Sequence, residues 1–177
     1  MDAKTIERAR RGDRAAQAAL LRGLQDPWYR LCRTLLPDDE RARDATQETA
    51  LRFLRDLRRF QGQSTLTTWS IGIALNVIRE LRRTEHHNAP HSLHQLAAAQ
   101  RAARDPHQTA QHAEETDLIR STLSELPDRQ REAIILRFFE DLTLDQAAAA
   151  MGCATGTVKA TVHQALRALR AKLRQLA

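Results

Sequence analysis

An all-α chain of two small helical domains joined by a flexible linker is what the sequence predicts, on three observations. Apolar residues recur at three- and four-residue steps from Ile6 to Leu81 and again from Leu118 to Leu173, the period of a helix with one buried face. Alanine is abundant while glycine and proline number only 6 and 5, which favours helix throughout. Between the two periodic stretches, residues 86–115 have few large apolar side chains and hold six of the 7 histidines, so the chain divides into 1–85, a linker at 86–115, and 116–177.

The elements follow in order. Ile6, Ala9, Ala16, Ala19, Leu20 and Leu24, with Gly12-Asp13 between them, predict two short helices or one broken near Gly12. Pro27 suits the first turn of the next helix, whose inward side is Trp28, Leu31, Cys32, Leu35 and Leu36. A long helix from about Glu40 to Phe60 buries Ala45, Thr49, Phe53, Leu54 and Leu57 and shows Asp44, Gln47, Glu48, Arg52, Arg55 and Arg59 outside. Asp44, Glu48 and Arg52 stand four residues apart, a spacing that a solvated ion-pair lattice also explains. Gln61 to Thr65 is a polar loop without an aromatic, followed by a helix with Trp69, Ile73, Val77 and Leu81 inward and Asn76, Arg79, Glu80, Arg82 and Arg83 outward. Cations at its C-terminal end also serve the helix dipole.

In the second lobe, Leu118, Ile119, Thr122 and Leu123 share a helical face, Leu126-Pro127 makes a turn, and a helix from Arg129 to Phe139 buries Ala133, Ile134, Leu136, the Arg137 stem and Phe138. Thr143 caps a short helix with Leu144, Ala147, Ala148 and Met151 inward, and Gly152 supplies the left-handed turn that glycine enters without strain. Thr155 is a natural N-cap for a second helix, with Val158, Val162, Ala165, Leu166, Leu169 and Leu173 on its apolar stripe. Its other face carries Lys159, Thr161, His163, Gln164, Arg167 and Arg170, and no acidic residue follows Gln146. Short helix, glycine turn and basic second helix make a helix-turn-helix, whose second helix fits a DNA major groove, though the same shape also builds an ordinary bundle.

Charge supports a polyanionic partner. Lys and Arg number 28 against 22 Asp and Glu, a formal +6 concentrated in the two lobes around a slightly acidic connector. Cys32 and Cys153 are isolated, giving neither a disulfide framework nor a metal-ligand pair, which suits a reducing compartment. No apolar run is long enough to span a bilayer, and the N-terminus lacks a signal-peptide core, so a soluble cytoplasmic protein is expected. No nucleophile–base pair or phosphate-cradling glycine loop is present, so neither a catalytic residue nor a cofactor is expected. His87, His91 and His94 are spaced for one helical face, but Pro90 interrupts it, and no metal site is assigned.

Two of these stretches together resemble a known pattern. DATQETALRFLRDLRRF followed by QGQSTLTTWSIGIALN resembles region two of the extracytoplasmic-function sigma factors, and LPDRQREAIILRFFEDLTLDQAAAAMGCATGTVKATVHQALRALR resembles region four. Both occur in the right order and cover nearly the whole chain. The resemblance implies a non-enzymatic specificity subunit that binds core RNA polymerase and directs it to promoters. It implies that Asp44, Gln47, Glu48 and Arg52 face the polymerase clamp helices. Gln61, Gln63, Ser64 and Thr65, with Asn76, Arg79 and Arg83, would hold the melted non-template strand of the minus-ten element. The helix bearing Thr155, Thr157, Lys159, Thr161, His163, Gln164, Arg167 and Arg170 would read the minus-thirty-five duplex. Lys159, His163 and Gln164 come nearest the bases there, and Arg167 and Arg170 nearest phosphate. An anti-sigma factor, often tethered to the membrane, is the further partner implied.

The chain also departs from that pattern. Leu66 and Thr67 stand where the family often has an aromatic, Ile71-Gly72 replaces a common aromatic–arginine pair, Ala160-Thr161 stands for Ser-Arg, and Gln164 for an arginine. A cation missing from the phosphate-facing side lowers affinity and its salt dependence. Two other readings stay open on the residues alone: a stand-alone helix-turn-helix regulator, which leaves the Asp44–Glu48 surface and the Trp69 segment without a task, and a metal-responsive protein using the histidine linker.

Overall fold

The structure, a computed structural model, describes residues 2–88 and 121–176, and these residues form helices and turns with no strand. Helix α1 (Ala3–Arg10) is capped by Asp2 and ends before Gly12, whose φ of 93° turns the chain into α2 (Arg14–Leu35). The break at Gly12 is thus real. The one expected at Pro27 is not: α2 runs through it, with Leu24, Trp28, Leu31 and Cys32 fully buried along one stripe. The carbonyl that a proline ring would crowd belongs to Gly23, which has no side chain of its own to add to the clash, and burial of Trp28 holds the helix together.

Helix α3 (Asp39–Asp56) starts on Asp38, whose carboxylate accepts from the Arg41 amide at 2.8 Å, and it tightens into a 3₁₀ turn at Leu57–Arg59. Its buried face is Ala42, Ala45, Thr46, Thr49 and Phe53, and the two threonine hydroxyls are satisfied by carbonyls one turn back at 2.7 Å. Phe53 is the hub of an aromatic chain, with ring centroids 5.3 Å from Trp28 and 5.7 Å from Trp69, and Trp69 lies 5.2 Å from Phe60. The Trp28 indole donates to the Ser70 hydroxyl at 2.9 Å, so the polar end of this fully buried side chain is paired. Cys32 lies in the same core, and burial pushes its thiol up to about 11, which leaves it unreactive at neutral pH.

Helix α4 (Leu66–Asn88) differs from its sequence-predicted form. Its fully buried apolar residues are Ile71, Ala74, Leu75, Val77 and Ile78, while Trp69, Ile73 and Leu81 are only partly covered. A single stripe cannot bury both sets. Helix α4 is covered on two sides, by α2 and α3 on one and by the C-terminal lobe on the other. It also runs to Asn88, into the stretch read as linker; the remainder of that stretch, like Leu118 and Ile119, lies outside the described residues.

The second lobe comprises α5 (Asp128–Phe138), α6 (Leu144–Met151) and α7 (Thr155–Leu176). Helix α5 buries Glu132, Ala133, Ile134, Ile135 and Leu136, but Phe138 and Phe139 are 54% and 50% exposed, against the expectation that Phe138 is core. Phe138 stands one turn past the buried Ile134 and Ile135, but the helix ends there and its ring is left in solvent. Thr143 and Gln146 form a reciprocal capping box on α6, and Gly152 closes that helix at φ 67°. Ala133, Leu136, Ala147, Ala150 and Met151 join Ile71, Ala74, Leu75 and Ile78 in one continuous core, so the two lobes meet across α4 and α6.

Candidate polymerase and nucleic-acid interfaces

The outer face of α3 presents Asp44 and Gln47, both exposed, and Glu48 with its side chain 44% exposed, while the opposite face is locked into the core by Ala45, Thr49 and Phe53. Leu51, 65% exposed, extends the same surface by one turn and breaks its polarity, a residue that reasoning from charge spacing passed over. Arg52 does not point outward with these residues. Its guanidinium bridges Glu48 at 2.6 Å and Glu80 of α4 at 2.7 Å, with the side chain 24% exposed. Hydrogen bonds to Glu48 and then Glu80 push it further above its usual range, so it is a fixed cation that orients Glu48.

Below this face, Arg52, Arg55, Asp56, Ile73, Asn76, Glu80 and Arg83 line a cleft of about 270 Å³ between α3 and α4. Asp56 neutralises Arg55 at 2.9 Å, and that hydrogen bond holds the Asp56 carboxyl below the ordinary range. The loop from Gln61 to Thr65 turns at Gly62, whose φ is 73°. Gln63 donates to Gln61 at 3.1 Å, and the Thr65 hydroxyl accepts from the Thr68 amide at 3.1 Å, capping α4. Gln61, Gln63 and Thr65 are exposed and Ser64 half-buried, so the loop offers amides and hydroxyls to a ligand. Asn76 and Arg83 are exposed beside the cleft. Arg79 is not: its guanidinium makes a two-pronged contact with Glu132 of α5, at 3.1 and 2.7 Å, and a third bond to the Asn76 side-chain oxygen at 3.2 Å. Arg82, expected on the exposed side, is 11% exposed and pairs with Asp128 of α5 at 3.1 Å.

The third surface belongs to α7. Val158 and Ala165 are fully buried, which fixes the helix's rotation and leaves Lys159, His163, Gln164, Arg167 and Arg170 outward. Lys159, His163, Arg167 and Arg170 fall on one stripe at helical steps. Thr155 is not the N-cap expected of it: it is the first helical residue, and its hydroxyl donates to Asp145 of α6 at 2.7 Å, clamping the two helices of the motif. The Ala154 carbonyl instead accepts from the amides of Thr157 and Val158. Thr157 is exposed, and Thr161, half-buried, spends its hydroxyl on the Thr157 carbonyl at 2.8 Å. Among the described residues no group of three or more His, Cys, Asp or Glu could hold a metal ion, and no helix is long and apolar enough to cross a membrane.

Both lobes are similar to known proteins. Residues 20–87 match the model for sigma-70 region 2 and residues 116–169 that for sigma-70, region 4. Over 137 residues the chain is 39% identical to the ECF RNA polymerase sigma factor EcfG of Rhodopseudomonas palustris, covering 76% of this chain and 72% of that protein. The chain belongs to the extracytoplasmic-function sigma factors. The RNA polymerase sigma-H factor of Pseudomonas aeruginosa is 29% identical over 191 residues, covering 99% of this chain and 95% of the relative. The ECF sigma factor SigW of Bacillus subtilis is 27% identical over 181 residues, covering 98% of this chain and 97% of the relative. Two solved folds agree: the sigma factor RpoE with the anti-sigma factor NepR from Bartonella quintana, and CnrH with the cytosolic domain of CnrY. The first has a TM-score of 0.70 at 22% identity, covering 89% of this chain and 96% of that one. The second has a TM-score of 0.73 at 21% identity, covering 98% and 97%. As a sigma factor the chain directs RNA polymerase in transcription initiation, and the matched segments include both the α3–α4 unit and the helix-turn-helix. A stand-alone helix-turn-helix regulator would account for the second segment only.

Proposed function

We propose that the three surfaces divide the work of promoter-specific initiation. Asp44, Gln47 and Glu48, held up by the Arg52 bridge and extended by Leu51, dock on core polymerase. Gln61, Gln63, Ser64 and Thr65, with Asn76, Arg79 and Arg83, take the melted non-template strand of the minus-ten element. Thr155, Thr157, Lys159, Thr161, His163, Gln164, Arg167 and Arg170 line the helix that meets the minus-thirty-five duplex. Base edges in a duplex are readable only through a groove, which a rigid helix can enter, whereas unpaired bases can be held by exposed amides and a guanidinium group such as those of Gln61, Gln63, Asn76 and Arg83. The observation that carries the reading is the separation of faces. An acid and amide surface sits on α3, and an acid-free stripe sits on α7, each pinned by a buried opposite side.

No residue is assigned a catalytic step; the chain acts by binding, inside the cell, where polymerase is. The related folds solved with anti-sigma factors support a protein inhibitor as a further partner. Purified chain with core polymerase on a promoter library tests the whole reading. Initiation only when both proteins are present is the expected result, and tight operator binding without polymerase, with no transcripts, would overturn it.

A further inference from the structure

Arg52 serves two carboxylates at once, one on α3 and one on α4. Its Nε donates to Oε1 of Glu48 at 2.6 Å, while Nη1 lies 2.7 Å from Oε2 of Glu80. The contact with Glu48 is single: Oε2 of that carboxylate accepts no hydrogen bond among the described residues. Elsewhere in this chain guanidinium groups meet carboxylates with two prongs. Arg79 holds Glu132 through Nε and Nη2, and Arg55 holds Asp56 the same way, at 3.1 and 2.9 Å. A two-pronged contact is the stronger and the more specific one. Arg52, one helical turn after Glu48, is placed to make it unless something draws the guanidinium aside. Glu80 is the group that does so.

We infer that Glu80 is a positioning residue for polymerase docking: by drawing Arg52 toward α4 it keeps one oxygen of Glu48 free for a donor on the polymerase. This rests on the assignment of Glu48 to the docking face. Asp44, Gln47 and Leu51 continue that face around Glu48 on α3, whereas Glu80 stands with Asn76 and Arg83 on the cleft. Without Glu80 the guanidinium is free to close on Glu48 with both prongs. The carboxylate meant for the polymerase is then already satisfied inside the chain. The Glu48 and Glu80 side chains are 44% and 50% exposed, and ion pairs this open add little to stability. The effect of the bridge therefore falls on which atoms of Glu48 are left to bind.

Affinity of the labelled full chain for core polymerase, read by fluorescence anisotropy without DNA, tests this in double-mutant cycles. DNA is left out because Glu80 shares its cleft with Asn76 and Arg83. Glu80→Gln keeps size and helix propensity and removes only the charge that competes for Arg52. Alone it should weaken binding about tenfold, the scale of one hydrogen bond to a charged group, with the helical circular-dichroism signal and melting temperature unchanged. In the Glu48→Gln background it should have no further effect. It should have none in the Arg52→Gln background either, where no guanidinium is left to close. A loss of the same tenfold in either background would overturn the inference, because Glu80 would then touch polymerase or support the fold directly. Unchanged affinity for Glu80→Gln would overturn it as well, and Glu48→Gln alone then separates the cases. Weakened binding by Glu48→Gln leaves the docking face standing, and unweakened binding removes Glu48 from that face together with the role of Glu80.

Discussion

A cation on the outward stripe of α7 is cheap to change and informative. Arg167 is exposed and away from the buried Val158 and Ala165, so Arg167→Ala should leave the melting temperature alone. As a phosphate contact it should weaken holoenzyme binding similarly on all promoters and lower the salt slope by about one. Gln164→Ala should instead cost about 1–3 kcal/mol at one base position and relax selectivity there. Competitive binding to promoters differing at single positions, repeated across salt, separates the two outcomes; equal losses everywhere for Gln164→Ala would remove it from base reading. In the core, Phe53→Ala should cost about 3–5 kcal/mol in denaturant unfolding, because Trp28 and Trp69 both lean on that ring. A loss under about 1 kcal/mol would show that the aromatic chain is not what holds α2, α3 and α4 together.

At the level of the helices, the helix-turn-helix depends on its caps. Thr143→Ala breaks the capping box and should cost about 1 kcal/mol, and Gly152→Ala forces a side chain into the left-handed region at about 1–2 kcal/mol. Thermal melting of the two variants reads both, and a Gly152→Ala variant as stable as wild type would contradict the turn's geometry. These caps, the break at Gly12, the α3 stripe and the rotation of α7 were legible because each depends on local chemistry or helical period. Pro27 was misread because its positional preference is weaker than burial of the residues around it. Thr155 was misread because its hydroxyl found a carboxylate, Asp145, on the neighbouring helix. The two-sided burial of α4 was not legible: the second side depends on a contact between residues on either side of the linker. Glu132 offered a partial signal, a carboxylate in register with Leu136 on an apolar helix, but nothing in the sequence named Arg79 as its partner. Leu51 was visible as an apolar residue off the buried stripe.

Across the molecule, acid and neutral pH should pull stability in opposite senses. The Ala16 amide, the Tyr29 hydroxyl and the Arg55 guanidinium hold Asp13, Asp39 and Asp56 below their ordinary 3.8. Their folded values lie below the unfolded ones, so their contribution is present above about 3.8 and lost as pH falls through the lowered values. Glu140 behaves in reverse. Burial raises it above 4.5, so its contribution is full below 4.5 and lost as pH rises through the raised value. Melting temperature should therefore rise modestly as pH drops from neutral toward 4.5, then fall below 3.8. Glu140→Gln should abolish the rise and keep the fall, and a variant that retained the rise would assign it to another group. Because Glu140 faces Arg30 across the lobe boundary, the same titration reports on the contact between the lobes.

The central claim is that one chain uses α3 to hold polymerase and α7 to hold duplex, and reversing one charge on each tests it most directly. Run-off transcription from a selected promoter, with core polymerase and wild type, Glu48→Lys or Lys159→Glu, is the measurement. Each variant should retain its fold and lose initiation by at least tenfold, about 1.4 kcal/mol. Glu48→Lys should fail at polymerase binding, and Lys159→Glu at promoter binding by an assembled holoenzyme. Wild-type initiation from both variants would contradict the account.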